Sequence, residues 1–388
     1  MKQVARLTEP KYKLGDDGEL EEIIDDSDEK PKRKRKPKLC NRTLYIPLSL
    51  MLVLVTAVVL LLLIVFWVTR PAQQIPIIAA YPTNQPRPSE TPGGYLDQVA
   101  PCGLLPVTQK PRFAFSVSPS GGDSELLRID ADGTNSCRLT NNNIYDNQPA
   151  WSPDGKRIAF TAFFAATGYN SEDAIYIMDA NGENLFTLTK GLSNLALPAW
   201  SPDAKQIAFQ GTLKGSANSS DIFIINPDGT NLINLTSSPS VDSGPNWSPD
   251  GKSIVFASDR TYQQGVAGGV SQPDSYEIYV MDANGDNVRQ LTSNKQIDAF
   301  PKWSPDGQWI VFQKEDNIYL MDKEGKRTRR LTNDPNGAYT PFWMPDGNEV
   351  GFTTDRNAIQ FVNIQTGQTR SLRTVGNPSF VAPWSPPT

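Results

Sequence analysis

Residues 149–160 read PAWSPDGKRIAF, and the chain restates the phrase four times: PAWSPDAKQIAF at 198–209, PNWSPDGKSIVF at 245–256, PKWSPDGQWIVF at 301–312 and PFWMPDGNEVGF at 341–352. A second phrase trails it: IYIMDANGENLFTLT at 175–189, IFIINPDGTNLINLT at 222–236, IYVMDANGDNVRQLT at 278–292 and IYLMDKEGKRTRRLT at 318–332, with weaker copies at 126–140 and 359–372. The marker tryptophans Trp151, Trp200, Trp247, Trp303, Trp343 and Trp384 are spaced by 49, 47, 56, 40 and 41 residues. Self-similarity at this period indicates stacked supersecondary units, either blades or solenoid coils.

Each unit divides into four short strands: PAWS, KRIAF, AIYIM and LFTLT in the second unit. In SPDG the proline presets φ, the aspartate caps locally and the glycine accepts φ > 0; the Asn-Gly of DANG suits a tight hairpin. Ala204 stands where that glycine is missing, so its turn is expected to be strained or differently shaped. Ile175 and Ile177 alternate with Tyr176 and Met178, which makes both strand faces apolar and gives each sheet a neighbour on either side. Four hairpin-linked strands with two buried faces make a propeller blade. Six blades are counted. The first lacks its own leading strand before RFAFSV (112–117), while FVAPWSPP (380–387) is an orphan leading strand at the C-terminus. The expected fold is therefore an all-β six-bladed propeller whose C-terminal strand closes the first blade and removes two exposed edges.

The pattern PxWSPDGxxIxF…IYxMDxxGxxxxxLT resembles the WD40-like repeat of the TolB-type β-propeller family over residues 112–386. The resemblance implies a bacterial cell-envelope setting and a role in protein interaction. The chain differs from soluble TolB in carrying a membrane anchor and, in place of an N-terminal α/β domain, a Pro-rich stalk.

Residues 44–68, LYIPLSLMLVLVTAVVLLLLIVFWV, contain no charge, and at about 1.5 Å per residue a helix over 44–69 exceeds the roughly 30 Å hydrocarbon core. Eight basic residues between Lys30 and Arg42 precede the span and only Arg70 closely follows it, which places the N-terminus in the cytoplasm and the propeller outside. The same basic run suits anionic lipid. Residues 1–43 hold twelve Lys/Arg and ten Asp/Glu and read as a disordered charged tail. Residues 70–110 read as a Pro-rich extracytoplasmic stalk, and 111–388 as the propeller. Cys102 and Cys137 fall in a compartment that permits a disulfide; Cys40 lies on the other side of the span, beside it, where lipidation is possible.

There is no histidine, which removes Ser-His-Asp and Cys-His machinery and any His-based zinc site. No GxSxG elbow is present. Residues 44–388 net −7, which argues against nucleic acid as a partner. The repeated Asp154, Asp203, Asp250, Asp306 and Asp346 read as turn residues. Asp130, Asp179, Asp282 and Asp322, with Asn226 and Asn363 in equivalent places, read as turn caps or else as a channel-side cation site. No metal or cofactor is assigned. Units differ most in the connections at 161–174, 210–221 and 257–277, on three adjacent blades, and these carry Phe163, Phe164, Tyr169, Tyr262 and Tyr276 as candidate ligand-binding residues. Tolerated surface insertion is the plain alternative for such loops. The reading is a non-catalytic extracytoplasmic module that recognises a protein or peptide. Cell-wall glycan binding is the alternative, with a lyase or hydrolase on a propeller, or inward signalling through the tail, as further ones.

Overall fold

The computed structural model describes residues 12–14, 20–22, 99–102, 110–118, 123–142, 144–163, 173–213, 220–260, 276–354, 358–374 and 376–384. It divides into two units, 1–76 and 77–388. In the first, within the tail read above as disordered, β1 (Tyr12–Leu14) and β2 (Leu20–Glu22) pair antiparallel, Tyr12 opposite Glu22. The expected span at 44–69 lies outside the described residues.

The second unit contains six four-stranded antiparallel sheets. In chain order the blades are β6 (Tyr145–Trp151), β7 (Arg157–Phe163), β8 (Ala174–Asp179) and β9 (Phe186–Thr187); β10 (Leu192–Trp200), β11 (Ile207–Leu213), β12 (Asp221–Ile225) and β13 (Ile233–Asn234). Then follow β14 (Asp242–Trp247), β15 (Ser253–Ser258), β16 (Glu277–Asp282) and β17 (Arg289–Gln290), and β18 (Asp298–Trp303), β19 (Trp309–Lys314), β20 (Asn317–Asp322) and β21 (Thr328–Arg330). The sixth blade is β22 (Tyr339–Trp343), β23 (Glu349–Thr353), β24 (Ala358–Asn363) and β25 (Thr369–Arg373). The first is completed from both ends of the propeller: β26 (Pro378–Trp384) pairs with β3 (Arg112–Val117), which leads to β4 (Glu125–Asp130) and β5 (Cys137–Arg138). Trp384 lies opposite Arg112 and Pro378 opposite Val117. The leading strands β6, β10, β14, β18, β22 and β26 contact one another in succession, β26 returning to β6, so the ring is closed.

Both faces of each central strand are buried, as the alternation demands. Tyr176 and Met178 pack towards the first blade's Leu126, whereas Ile175 and Ile177 pack towards the third blade's Ile207 and Phe209. The phenylalanine that ends the opening phrase is the keystone: Phe115, Phe160, Phe209, Phe256, Phe312 and Phe352 are all at most 3% exposed. Burying each contributes about 1.5–3 kcal/mol. Four of them meet the aromatic ring of the next strand at 5.7–5.9 Å, three stacked, as in Phe160 on Tyr176, and Phe312 tilted on Tyr319. The invariant-looking threonine of "LT" has its own task. In five blades its Oγ1 accepts the amide N–H at the start of the third strand, as in Thr189 from Ile175 at 2.9 Å. This satisfies a buried donor that the outer strands of these blades, two or three residues long, are too short to reach.

The segment before β3 is fastened to the outside of the first blade. Cys102 and Cys137 form a disulfide with Cα atoms 4.8 Å apart, and Arg138 N–H donates to Ala100 O at 2.9 Å.

Candidate functional site

In every blade the innermost pairing is broken by a bulge, three residues before the marker tryptophan in five blades and four before Trp384 in the first. The residues there have left-handed φ: Gln148 53°, Leu197 54°, Gly244 62°, Phe300 51°, Thr340 47° and Phe380 47°. For a residue with a Cβ this costs about 1–2 kcal/mol, and it persists where the surroundings over-determine it. A proline follows in five of the six; lacking an N–H, it cannot pair, which seats the bulge.

The bulges turn these side chains inward. Gln148, Leu197, Phe300, Thr340 and Phe380, from five blades, line one cavity of about 60 Å³ with Lys302 and the adjoining Pro149, Pro198, Pro341 and Val381. Gly244 supplies no side chain on the sixth side. Phe300 and Phe380 meet edge-on with centroids 6.1 Å apart. Gln148 Oε1 accepts from Leu197 N–H at 2.8 Å and from Thr161 Oγ1 at 3.1 Å, which locks neighbouring blades together and fixes the amide's orientation. Thr340 Oγ1 sits 2.9 Å from Thr353 Oγ1.

Lys302 is the one ionisable residue lining this cavity. It occupies the position held by Ala150, Ala199, Asn246, Phe342 and Ala382 in the other blades. Its side chain is half-buried among the channel walls, which strip part of its water. That desolvation pushes the amine down to about 8. Among the described residues no carboxylate pairs with it. Sequence reasoning passed over this site; the available signal was a lysine in a position otherwise filled by small or uncharged residues.

Of the aromatic residues proposed from sequence, Phe164, Tyr169 and Tyr262 lie outside the described residues. Phe163 is the last residue of β7 rather than part of a loop, and it stacks on Tyr145 at 5.0 Å and 7°. Tyr276 immediately precedes β16 and packs on the Val255–Phe312 cluster; burial, with Asp259 and Asp242 nearby, pushes its phenol up. The connections that bear these residues leave the same end of the ring. β7–β8 is joined by residues 164–173 and β15–β16 by 259–276, against only Glu315 and Asp316 between β19 and β20.

The repeated aspartates are architecture. Asp154 Oδ1 accepts from Ser152 Oγ at 2.6 Å and from Lys156 N–H at 3.1 Å, and the pattern recurs at Asp203, Asp250 and Asp306. Hydrogen bonds from Ser201 and Ser248 hold the Asp203 and Asp250 carboxyls below the usual range. Met344 replaces the serine in the last blade, and Asp346 accepts instead from Asn348 alone, from its N–H and its Nδ2, each at 3.1 Å. Asp130, Asp179, Asp282 and Asp322 sit at the ends of the third strands, bonded to Asn135, Asn184, Asn287 and Arg327, two strands removed from the channel. The channel-side cation reading therefore fails on position. Ala204 adopts φ 58° and donates to Ser201 O at 2.9 Å, the geometry of Gly155 on Ser152, so its turn has the common shape.

Residues 120–266 match the TolB beta propeller domain, and residues 248–346 match the dipeptidyl peptidase IV N-terminal region. No curated relative matches the chain in sequence. Among solved structures, TolB from Acinetobacter baumannii superposes with a TM-score of 0.57 at 22% identity, covering 72% of this chain and 68% of that one. A putative TolB from Agrobacterium tumefaciens gives 0.52 at 22% identity, covering 70% and 91%. Hydrazine synthase from Kuenenia stuttgartiensis gives 0.55 at 15% identity, covering 74% and 48%, so the same ring serves unrelated roles. Matched repeats, blade count and turn chemistry agree: residues 120–266 carry the TolB beta propeller repeat, and the six-bladed ring shares the fold of the TolB structures.

Proposed function

We propose that the chain is a non-catalytic extracytoplasmic binding module that recognises a protein or peptide with the loop-bearing end of the propeller. The observation that carries the reading is the contrast in connection length. Three adjacent blades insert 164–173, 214–220 and 259–276 between their second and third strands at one end of a rigid ring, while the fifth closes the same hairpin with two residues. Rigid scaffolds present recognition on such loops, and aromatic residues such as Tyr169 and Tyr262 supply contact area at low entropy cost. The absence of histidine and of a nucleophile elbow in the sequence supports a non-catalytic role. Likeness to TolB supports protein as the partner class.

The module is tethered by one helix over 44–69, with Lys30 to Arg42 against the cytoplasmic leaflet and its anionic lipid. Protease added to intact cells is expected to remove the propeller and leave the tail protected; protection of the propeller instead would reverse the topology. Recognition is tested by exchanging residues 261–275 for the two-residue turn of the fifth blade, together with Tyr169→Ala. The melt should persist and capture of envelope proteins should fall at least tenfold. Unchanged capture moves the site off the loops, and selective retention on a glycan array would favour a polysaccharide ligand.

A further inference from the structure

The axial cavity is a second site, and its chemistry differs from that of the loops. It combines a single ammonium, from Lys302, with apolar walls from Leu197, Phe300, Phe380 and Val381. No carboxylate of the protein neutralises that ammonium among the described residues. An unpaired charge stripped of part of its water is costly, and charges so placed are ordinarily paired. Lys302 is not needed for packing, since alanine fills the same position in three other blades.

Of the other polar groups lining the cavity, the Gln148 amide supplies a donor. Both bonds to Gln148 use its Oε1, so its orientation is set by acceptance and its Nε2 donor remains available to the cavity. The peptide N–H of Leu197 and of Thr340, both at bulges, are already spent on Gln148 and on Gln313 Oε1 at 3.1 Å. One ammonium and one amide donor are what the two oxygens of a carboxylate require. A dianion stripped of water would need more compensating charge than a single lysine offers. A volume of about 60 Å³ admits a carboxyl group and its first methylenes, which Phe300 and Phe380 would flank, and excludes a large anion.

We infer that the axial cavity binds a monocarboxylate on a short apolar stem, with Lys302 as the charge partner and Gln148 as the second donor. The carboxylate belongs either to a free short-chain acid or to an acidic side chain of a peptide entering along the ring axis. The depressed amine agrees with a site that lacks its counter-ion, and binding should restore the amine towards its ordinary value. The site is independent of the loop-face reading.

The test uses the full chain in detergent micelles, with lysine labelled by ¹³C at Cε and the Lys302 resonance assigned by its loss in Lys302→Met. Butyrate, N-acetyl-Ala-Glu-amide, and inorganic phosphate at matched ionic strength are titrated separately. Butyrate or the peptide is expected to raise the Lys302 midpoint by about one pH unit, equivalent to tenfold tighter binding to the charged form. It should also raise the melting temperature of the wild type, leave that of Lys302→Met unchanged, and act several-fold more weakly on Gln148→Leu. Response to butyrate identifies a free acid as sufficient; response to the peptide at tenfold lower concentration identifies the side chain of a longer ligand. An unmoved Lys302 resonance with both carboxylates, an equal melting shift in Lys302→Met, or an equal response to phosphate overturns the inference. The loop-exchanged variant should retain the full Lys302 response, and Lys302→Met should retain loop-dependent capture, so failure of either reading leaves the other testable.

Discussion

At the scale of a residue, identical backbone angles carry different consequences because the neighbours differ. Gly155 and Gly347 occupy equivalent turns at φ 67° and 72°. A Cβ at Gly347 would meet only Pro305 at 3.9 Å, whereas at Gly155 it would overlap the Trp384 indole. Gly347→Ala should therefore lose about 1 kcal/mol, the left-handed penalty alone. Gly155→Ala should lose about 3 kcal/mol through added overpacking, and chemical denaturation of the two variants checks the difference. Ala204 already carries that penalty, so Ala204→Gly should be stabilising by about 0.5 kcal/mol after the entropy of the freed chain is offset. Lys302 gives a pH signature. Its folded pKa is depressed, so below about 8 both states are protonated and folding bears the cost of the buried charge. Between about 8 and 10.5 the unfolded chain binds more protons, and stability rises with pH. Lys302→Met should thus be more stable than wild type at pH 7, by on the order of 2 kcal/mol, with the gap closing towards pH 10.5. A gap that is constant with pH would contradict the desolvated amine.

At the scale of an element, β26 and the disulfide hold the two ends of the propeller. Trp384 donates from Nε1 to Pro153 O at 3.1 Å and covers Gly155 of the next blade. Arg112 stacks 4.2 Å from Trp384 and 4.9 Å from Trp151, its guanidinium pushed down to about 10 by burial and then by the nearby Arg128. Deleting residues 377–388 removes this packing and bares β3 as an edge; a loss of at least 3–5 kcal/mol is expected from Trp384 alone. A truncated protein that melts like the whole would sink the closure argument. The Cys102–Cys137 bond spans 35 residues, which corresponds to about 4 kcal/mol in the chain-entropy account. Reduction should lower the melting temperature correspondingly, and Cys102→Ser should reproduce the effect without reductant.

At the scale of the whole molecule, closure changes how the ring unfolds. Each blade buries both faces against neighbours, and no blade is terminal. An open repeat array unfolds from its ends, whereas a closed ring has no end to fray. Each blade holds one marker tryptophan, so fluorescence samples every blade. Fluorescence and far-ultraviolet circular dichroism are expected to report one coincident denaturant transition. Separate transitions would show that blades melt independently.

Periodicity alone determined the architecture. The Trp spacing fixed six units, the apolar alternation of IYIM fixed blades over a one-sided sheet, and the orphan APW at the C-terminus fixed closure through the first blade. These are local or near-local properties, set by pleat and turn chemistry, and they repeat often enough to be read without coordinates. The axial site was not legible. Gln148, Leu197, Phe300, Lys302, Thr340 and Phe380 are separated by up to 232 residues and share no motif beyond the proline that follows most of them. Only the bulges, which turn one residue per blade through left-handed backbone, and the closure of six sheets about one axis bring them together. Whether Lys302 meets a partner charge is a property of that convergence, because desolvation and pairing depend on what surrounds a side chain in space rather than along the chain.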